Sequence, residues 1–311
     1  HPAERIVVVD NAPGGVETPA TVFACDPGEL RLRYVEGKGA GLAAAHNRGL
    51  REVDTPIVAF TDDDVLVDQG WLAAIIEAFA IAPRVGCVTG MILPWELETP
   101  EQVWLEGYAG FNKGDERRLF DLADNRPDEP LFPFAAGMLG SGANMAFSIA
   151  ALREMRGFDP ALGAGTPARG GDDLAAFLEV LLRGYRLVYE PAAIVRHRHA
   201  RDYGALRRQV YGYGVGLTAY LTKSVLDRPE LLAPAARRFP RAAAYALSPR
   251  STKNARRPPD YPRELSRLER LGMLVGPIAY LRSRGRARRR EGATSSQTAG
   301  LRALEVRGRA R

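Results

Sequence analysis

Short apolar runs alternate with amphipathic stretches through the first two hundred residues. The run at 6–9 ends in the turn-forming cluster "DNAPGG", and "TPIVAF" at 55–60 is followed by an amphipathic segment at 70–82. Runs of branched apolar residues bounded by turn signals predict strands, and apolar residues at helical spacing predict helices. Strands that alternate with helices form βαβ units. The sequence therefore predicts an α/β fold with a largely parallel central sheet flanked by helices.

Three carboxylates follow the apolar run at 55–60 almost directly: Asp62, Asp63 and Asp64. Like charges side by side repel, and unpaired carboxylates at the end of a buried strand are costly. A solvated turn would relieve that cost. The flanking strand and helix instead put the triplet at the carboxyl end of a strand, where open α/β sheets bind ligands. The pattern therefore favours a divalent cation or a cation-bound phosphate as the partner of the triplet.

Charge divides the chain into two unlike parts. Residues 1–200 hold 18 Lys and Arg against 29 Asp and Glu, a net charge of −11, whereas residues 201–311 hold 25 against 8, a net charge of +17. This asymmetry predicts an acidic, cation-using part and a basic part that meets an anionic surface. Anionic lipid and nucleic acid both match the charge. No zinc-finger, helix-turn-helix or RNA-recognition motif occurs, so we do not expect nucleic acid.

The composition changes near residue 204, and this change defines the predicted domains. We expect a catalytic domain at 1–203, a basic helical extension at 204–290 that ends in an arginine cluster, and a disordered tail at 291–311. No run reaches the roughly eighteen apolar residues that a bilayer span requires. The two cysteines, Cys25 and Cys87, have no metal-ligand spacing and fit a reducing compartment.

Six motifs occur in a fixed order along residues 5–200: "VVVDNA", "GLAAAHNRGL", "FTDDDV", "SGANMAF", "GFDPALG" and "GGDDLAAFLEVLLRGYRLVYEPAAIVRHRH". This ordered set resembles the family-two glycosyltransferases of the GT-A fold. The resemblance implies a metal-dependent, inverting enzyme that moves a sugar from a nucleotide-sugar donor to a hydroxyl acceptor. Relatives with basic tails commonly act on lipid-linked or cell-envelope glycans. The resemblance therefore implies a cytoplasmic enzyme, peripheral on the inner face of the plasma membrane, where the basic extension would meet anionic lipid.

The resemblance also assigns a metal site. Asp64 takes the place of the direct ligand of Mg²⁺ or Mn²⁺, Asp62 lies near the ribose or the metal, and Asp63 is the middle residue on the donor side. His197 and His199 lie two residues apart on one face of a predicted strand. His197 fits best as the histidine that completes the metal site, with His199 as a second candidate. Two histidines and a carboxylate also suit an iron or zinc triad.

Further donor-side candidates come from the other motifs. Several of these candidates have a structural alternative. Asp10 could cap a turn at the end of the first strand, and His46 and Arg48 could be structural residues. Gly142 and Asn144 could form a tight turn. A helix N-terminus after glycines is a natural anion site, and family members often have Arg where a histidine stands here. The candidates are Asp10, Gly41, His46, Arg48, Gly142 and Asn144.

The pair Asp172 and Asp173 opens a predicted helix. In the family the corresponding pair usually reads Glu-Asp, and its second member is the general base that deprotonates the acceptor. The resemblance therefore implies Asp173 as the base and Asp172 in place of the Glu. A shift of the match by one residue would make Asp172 the base instead. The helix N-terminus predicts a lowered pKa for Asp173.

The motif order starts at the second strand of the family, so the first strand–helix unit is expected to be absent from this chain. A fragment and an impaired gene product both fit that expectation. The alternative function is accordingly a catalytically impaired relative that acts as a basic lipid- or nucleic-acid-binding module.

Overall fold

The computed structural model describes residues 3–12, 14–25, 31–37, 41–248 and 251–308, with side chains to residue 290. The strands are β1 (Ile6–Asp10), β2 (Leu32–Glu36), β3 (Ile57–Thr61), β4 (Val65–Val67), β5 (Val85–Pro94), β6 (Arg118–Phe120), β7 (Asn144–Ser148) and β8 (Arg186–His197). The helices are α1 (Glu17–Ala24), α2 (Leu42–Gly49), α3 (Trp71–Ala80), α4 (Pro100–Ala109), α5 (Ile149–Met155), α6 (Asp172–Leu182), α7 (Tyr203–Asp227), α8 (Leu232–Leu247), α9 (Thr252–Ala255) and α10 (Arg263–Gly308).

The strands form two sheets. β1 and β2 pair in parallel, and the larger sheet has the order β3-β7-β5-β8-β4, with β6 also paired to β8. The α/β class is confirmed. The larger sheet is more mixed than the sequence predicts, because β5–β8 is its one parallel pair among the described residues. Antiparallel neighbours need no helical crossover. β4 follows β3 after a short turn but pairs with β8, at the opposite end of the strand order.

Helices cover both faces of the larger sheet. Val88, Val188 and Val195 pack with Trp71 and Ile75 of α3. Their strand neighbours Cys87, Leu187 and Tyr189 point to the other face and pack with Phe177 and Leu181 of α6. Because successive strand residues face opposite sides, burial on both sides explains the nearly continuous apolar runs.

The strand β7 lies in the middle of this sheet, between β3 and β5. Ala146 stands opposite both Ala59 and Val88, and Met145, Ala146 and Phe147 are fully buried. The sequence predicts a turn followed by a helix here, but the helix α5 begins only at Ile149. The segment has no alternation and no β-branched residue, so its strand character comes from its partners rather than from its own residues.

The C-terminal region is helical, as predicted. Its long helices α7 and α10 pack closely against each other. The structure continues α10 through residues 291–308, where the sequence predicts a disordered tail; Ala, Arg, Leu and Gln in that stretch are good helix formers. Among the described residues, no helix has the length and apolar character needed to cross a bilayer.

Candidate functional site

Asp62 and Asp64 lie on the turn that joins β3 to β4, and β4 pairs with the end of β8. The register sets Val65 opposite His197, and the Arg198 N–H donates to the Asp64 carbonyl oxygen at 3.0 Å. Nε2 of His197 consequently lies 3.4 Å from Oδ1 of Asp64. The structure thus brings together Asp62, Asp64 and His197, whose potential ligand atoms all lie within 4.8 Å of one another.

This cluster has the charge of a cation site. Burial, together with the neighbouring carboxylates of Asp64, Asp173 and Asp63, raises the pKa of Asp62 to about 6. Burial lowers the pKa of His197, which favours the neutral imidazole that a metal requires. Two carboxylates and one neutral imidazole fit a divalent cation. Asp63 is exposed and lies outside the cluster.

His199, the second histidine candidate, is not part of this cluster. Its side chain is fully buried, with Nδ1 3.1 Å from Nδ1 of His197 and Nε2 2.9 Å from Oε2 of Glu106. Both ring nitrogens are therefore occupied by protein groups. In this structure β8 ends at His197, and the His199 side chain contacts Glu106 of α4 rather than Asp64.

With both imidazoles neutral and the Glu106 carboxyl group ionised, these contacts assign the proton positions. The Glu106 carboxylate can only accept, so Nε2 of His199 carries a proton and its Nδ1 is an acceptor. Nδ1 of His197 then donates to His199, which leaves the lone pair of His197 on Nε2, the atom beside Asp64. A carboxylate behind a ligating histidine is the usual way in which proteins orient such a ligand.

Glu106 is a residue that the sequence analysis missed, because residues 96–135 read as polar and irregular. The structure has α4 there, with a capping box in which Thr99 accepts from the Gln102 N–H and the Gln102 side chain accepts from the Thr99 N–H. Thr-x-x-Gln with Pro100 at the first helical position is a recognised start signal. That signal could have located the helix, though not the contact of Glu106 with His199.

Asp173 lies at the start of α6 and is held by backbone donors. Its Oδ2 accepts from the Gly142 N–H at 2.9 Å, and its Oδ1 accepts from the Leu174 N–H at 2.8 Å. A Cβ on Gly142 would lie 3.3 Å from the Cβ of Asp173, so a glycine allows this close approach. The charge of Asp173 contributes to the raised pKa of Asp62. Asp173 is therefore electrostatically coupled to the cation cluster.

The predicted lowering of the Asp173 pKa is wrong. Burial raises the pKa of Asp173, although its hydrogen bonds with Leu174 and Gly142 and the charge of Lys113 act in the opposite direction. Desolvation of a buried carboxylate outweighs the partial charges at a helix N-terminus. The sequence shows the helix start but not the burial.

Asp172 and His46 form a buried pair. Oδ2 of Asp172 lies 3.6 Å from Nδ1 of His46, and neither atom has a hydrogen-bond partner among the described residues. The His46 ring packs against Phe60 and Phe158 at centroid distances of 5.0 and 4.9 Å. Burial lowers the pKa of His46 to about 4 and raises that of Asp172. The packing of His46 against these two rings matches the structural alternative for this residue.

Two further donor-side candidates have structural partners. Arg48 forms an ion pair with Glu52 one turn further on, at 2.7 Å. Oδ1 of Asn144 accepts from Nε1–H of Trp71 at 2.8 Å, and its Nδ2 donates to the carbonyls of Met91 and Ala193 at 3.0 and 2.7 Å. The Asn144 amide is therefore fully used inside the sheet, whereas Arg48 has an ion pair with Glu52.

The remaining two candidates lie at turns. Oδ1 of Asp10 accepts from the Ala12 N–H at 3.0 Å and its Oδ2 from the Tyr34 hydroxyl at 2.9 Å, which matches the turn-capping alternative. Gly41 precedes α2 with φ 99°, and a Cβ there would lie 3.1 Å from the Ala164 carbonyl oxygen. Gly41 therefore permits a close contact between two loops.

Lys113 is a second residue that the sequence analysis missed. Its Nζ donates to the Gly110 carbonyl oxygen at 2.6 Å. Burial and the positive charges of Arg256 and Arg118 lower its pKa to about 8, against the opposing charges of Glu106 and Asp173. Lys113 is a buried cation close to Asp173, and no local sequence pattern distinguishes it from a surface lysine.

Comparisons with known proteins identify the family of the chain. The family model described as "Glycosyltransferase like family 2" matches residues 1–211. The pre-mycofactocin glycosyltransferases of Mycobacterium tuberculosis strains CDC 1551 / Oshkosh and ATCC 25618 / H37Rv are 29% identical over 214 residues, which is 67% of this chain. The chain spans 41% of the length of these curated relatives.

A solved structure gives the same result for the fold. The mannosyltransferase PcManGT from Pyrobaculum calidifontis, in complex with GDP-Man and Mn²⁺, aligns with a TM-score of 0.54 at 21% identity. The alignment covers 88% of this chain and 77% of that one. The fold is of the GT-A type that the motif order implies. Because the family model matches most of its length, the chain belongs to the family described as glycosyltransferase like family 2.

Proposed function

We propose that the chain is a metal-dependent, inverting glycosyltransferase that moves a sugar from a nucleotide-sugar donor to a hydroxyl group of an acceptor. One observation carries the proposal. The ligand atoms of Asp62, Asp64 and His197 lie within 4.8 Å of one another, and the cluster is coupled to a partly buried carboxylate, Asp173, that backbone donors hold in position. This combination provides a cation site for a diphosphate and a base for an acceptor.

Asp62, Asp64 and His197 would hold the cation. A divalent cation bound there supplies positive charge to the departing diphosphate. Mg²⁺ prefers an all-oxygen shell, whereas Mn²⁺ also accepts imidazole, so His197 makes Mn²⁺ the better fit. PcManGT, which shares this fold, was solved with GDP-Man and Mn²⁺, and that pair is accordingly the first to test.

Asp173 would accept the proton of the acceptor hydroxyl. A sugar hydroxyl is too weak an acid to attack unaided at neutral pH, so a positioned base is needed. The raised pKa of Asp173 favours this role, because a base is most effective when its pKa lies near the working pH. The backbone donors Gly142 and Leu174 hold its carboxylate in place, and the burial of Asp172 against His46 favours Asp173 as the member of the pair that reacts.

Inversion follows from a single displacement. The acceptor oxygen attacks the anomeric carbon opposite the bond to the diphosphate, Asp173 takes the proton, and the electron pair of the breaking C–O bond leaves with the diphosphate. No covalent enzyme intermediate is needed.

The acceptor in this proposal is a lipid-linked or cell-envelope glycan. The basic C-terminal region, with a net charge of +17 over residues 201–311, would bring the site to the cytoplasmic face of an anionic membrane. This would place the cation cluster near acceptors that remain in the bilayer.

A screen of nucleotide sugars tests the reaction. We expect release of a nucleoside diphosphate that requires Mn²⁺ or Mg²⁺ and stops when the metal is chelated. With a productive donor, NMR of the transferred sugar should show the inverted anomer. Turnover that persists under chelation, or product with retained configuration, would contradict the proposal. A protein that binds acidic vesicles but turns over no donor would support the alternative of a binding module.

A further inference from the structure

Helix α10 presents a row of exposed apolar side chains. Leu271, Leu274, Ile278 and Leu281 are 51%, 77%, 55% and 54% exposed. Their spacing of three and four residues puts them on one face of the helix. Scattered exposed leucines are ordinary on protein surfaces, but a contiguous row marks a contact surface. We call these four residues the α10 stripe.

The opposite face of α10 is fixed against α7. A Cβ on Gly272 or Gly276 would collide with backbone atoms of α7, at Tyr211 and Val215 respectively, and Tyr280 is buried in the core. The hydroxyl of Tyr280 donates to Oδ2 of Asp159 at 2.9 Å. Because these contacts set the rotation of α10 about its axis, the stripe must face outward.

Arginines flank the stripe at both of its ends. Arg267 and Arg270 precede it, and Arg282, Arg286 and Arg288 follow it, all of them exposed. A helix with an apolar face and basic flanks lies in the interface of an anionic bilayer, with its apolar side chains among the acyl chains and its arginines at the headgroups. The described helices are not of a kind that spans a bilayer, so this contact is in the plane of the membrane.

We propose that the α10 stripe is the surface through which the chain binds an anionic lipid bilayer. A second copy of the chain fits the stripe less well, because the apolar repeat covers only two heptads, with Arg267 at the equivalent position before it and Gly285 and then Arg288 at the equivalent positions after it. In either orientation of a two-fold pair, arginines of one copy would approach arginines of the other. Lipid headgroups of opposite charge relieve that repulsion.

The inference rests on the membrane association in the proposed function and names its surface. Flotation of the full chain with vesicles of phosphatidylcholine alone or with phosphatidylserine tests it. We expect recovery with the acidic vesicles and little with the neutral ones. The double variant Leu274→Gln/Ile278→Gln should lower the partition coefficient about tenfold or more, and Arg282→Gln/Arg286→Gln should lower it only on acidic vesicles. Because all four side chains are exposed or lie at the surface, these variants should fold.

The control is Leu97→Gln/Leu122→Gln, which removes two exposed leucines of the acidic part, 46% and 36% exposed. It should bind vesicles like the wild type. Equal recovery of wild type and stripe variant would overturn the inference. So would a wild-type dimer that the stripe variant dissociates without any vesicle binding. Metal-dependent donor turnover is measured in parallel without vesicles. A stripe variant that loses vesicle binding but keeps turnover shows that the membrane surface and the reaction fail independently.

Discussion

Nδ1 of His197 lies 3.1 Å from Nδ1 of His199, and this contact connects the cation cluster to α4. His199 is in turn held by Glu106 at 2.9 Å. The acidic part of the chain therefore contributes two layers to the site. In the proposed site, Asp62, Asp64 and His197 would provide the ligand atoms, and His199 with Glu106 would direct the lone pair of His197 toward the cation.

The first prediction concerns that second layer. His199→Phe keeps an aromatic ring in the buried space but removes the acceptor that orients His197, so Mn²⁺ affinity should fall about 10- to 100-fold. Glu106→Ala should change it in the same direction, because His199 loses the partner that fixes its tautomer. Titration of free Mn²⁺ by electron paramagnetic resonance measures this. Wild-type affinity in the His199→Phe variant would contradict the role of this layer.

The second prediction concerns pH. The folded pKa of Asp62, about 6, lies above its ordinary value of 3.8, so ionisation of Asp62 destabilises the metal-free fold. This cost is absent below about pH 4, grows between about pH 4 and pH 6, and is fully present above the folded pKa. At pH 7.5 with a chelator, Asp62→Asn should be more stable than the wild type by about 1–3 kcal/mol, and the difference should shrink toward pH 5. Urea unfolding measures it, and a difference independent of pH would rule out this explanation.

The third prediction separates the two members of the acidic pair. Asp173→Asn keeps the size of the side chain but removes the basic oxygen, so turnover should fall by roughly 10²–10⁴ while binding of Mn²⁺ and nucleoside diphosphate is retained. Asp172→Asn should change turnover little, because its side chain is buried against His46. Steady-state rates and calorimetry check both. Slow turnover in Asp172→Asn alone would assign the general base to Asp172. Normal turnover in both variants would reject the mechanism.

The fourth prediction concerns the contact between α7 and α10. A Cβ on Gly272 would collide with the Tyr211 carbonyl, so Gly272→Ala should lower the free energy of unfolding by about 1–3 kcal/mol. Gly285→Ala is the matched control on the same helix, since no atom lies within 4 Å of the added Cβ. It should raise stability by up to about 1 kcal/mol through helix propensity. If both substitutions changed the free energy of unfolding in the same direction, the close contact with Tyr211 would not explain the effect at position 272.

Local sequence pattern predicts much of the fold and the centre of the site. The run before Asp62, the amphipathic stretch after it and the helix that opens at Asp172 are all present, because each depends on residues close together in the chain. The cluster of Asp62, Asp64 and His197 could also be predicted from the sequence, because strand ends meet at one edge of a sheet and the motif order pairs the acidic triplet with the histidine.

Features that depend on contacts between residues far apart in the chain could not be predicted from the sequence. Glu106 and His199 are 93 residues apart, and nothing near either residue indicates the other. The raised pKa of Asp173 reflects burial by the whole domain, which outweighs the local helix start. The strand β7 is likewise defined by its neighbours β3 and β5. Asn144, His46 and Arg48 have internal partners in the structure that the sequence does not indicate.

The central claim is that Asp64 helps hold a cation that binds a diphosphate. Isothermal titration calorimetry of GDP and UDP, each with saturating Mn²⁺, tests it in wild type and Asp64→Ala. Because Asp64 is half exposed on a surface turn, the variant should fold, and unchanged circular dichroism confirms this. We expect Mn²⁺-dependent binding of at least one nucleotide in the wild type and a loss of about 10- to 100-fold or more in the variant. Equal affinity in the two proteins with Mn²⁺ present would contradict the metal site.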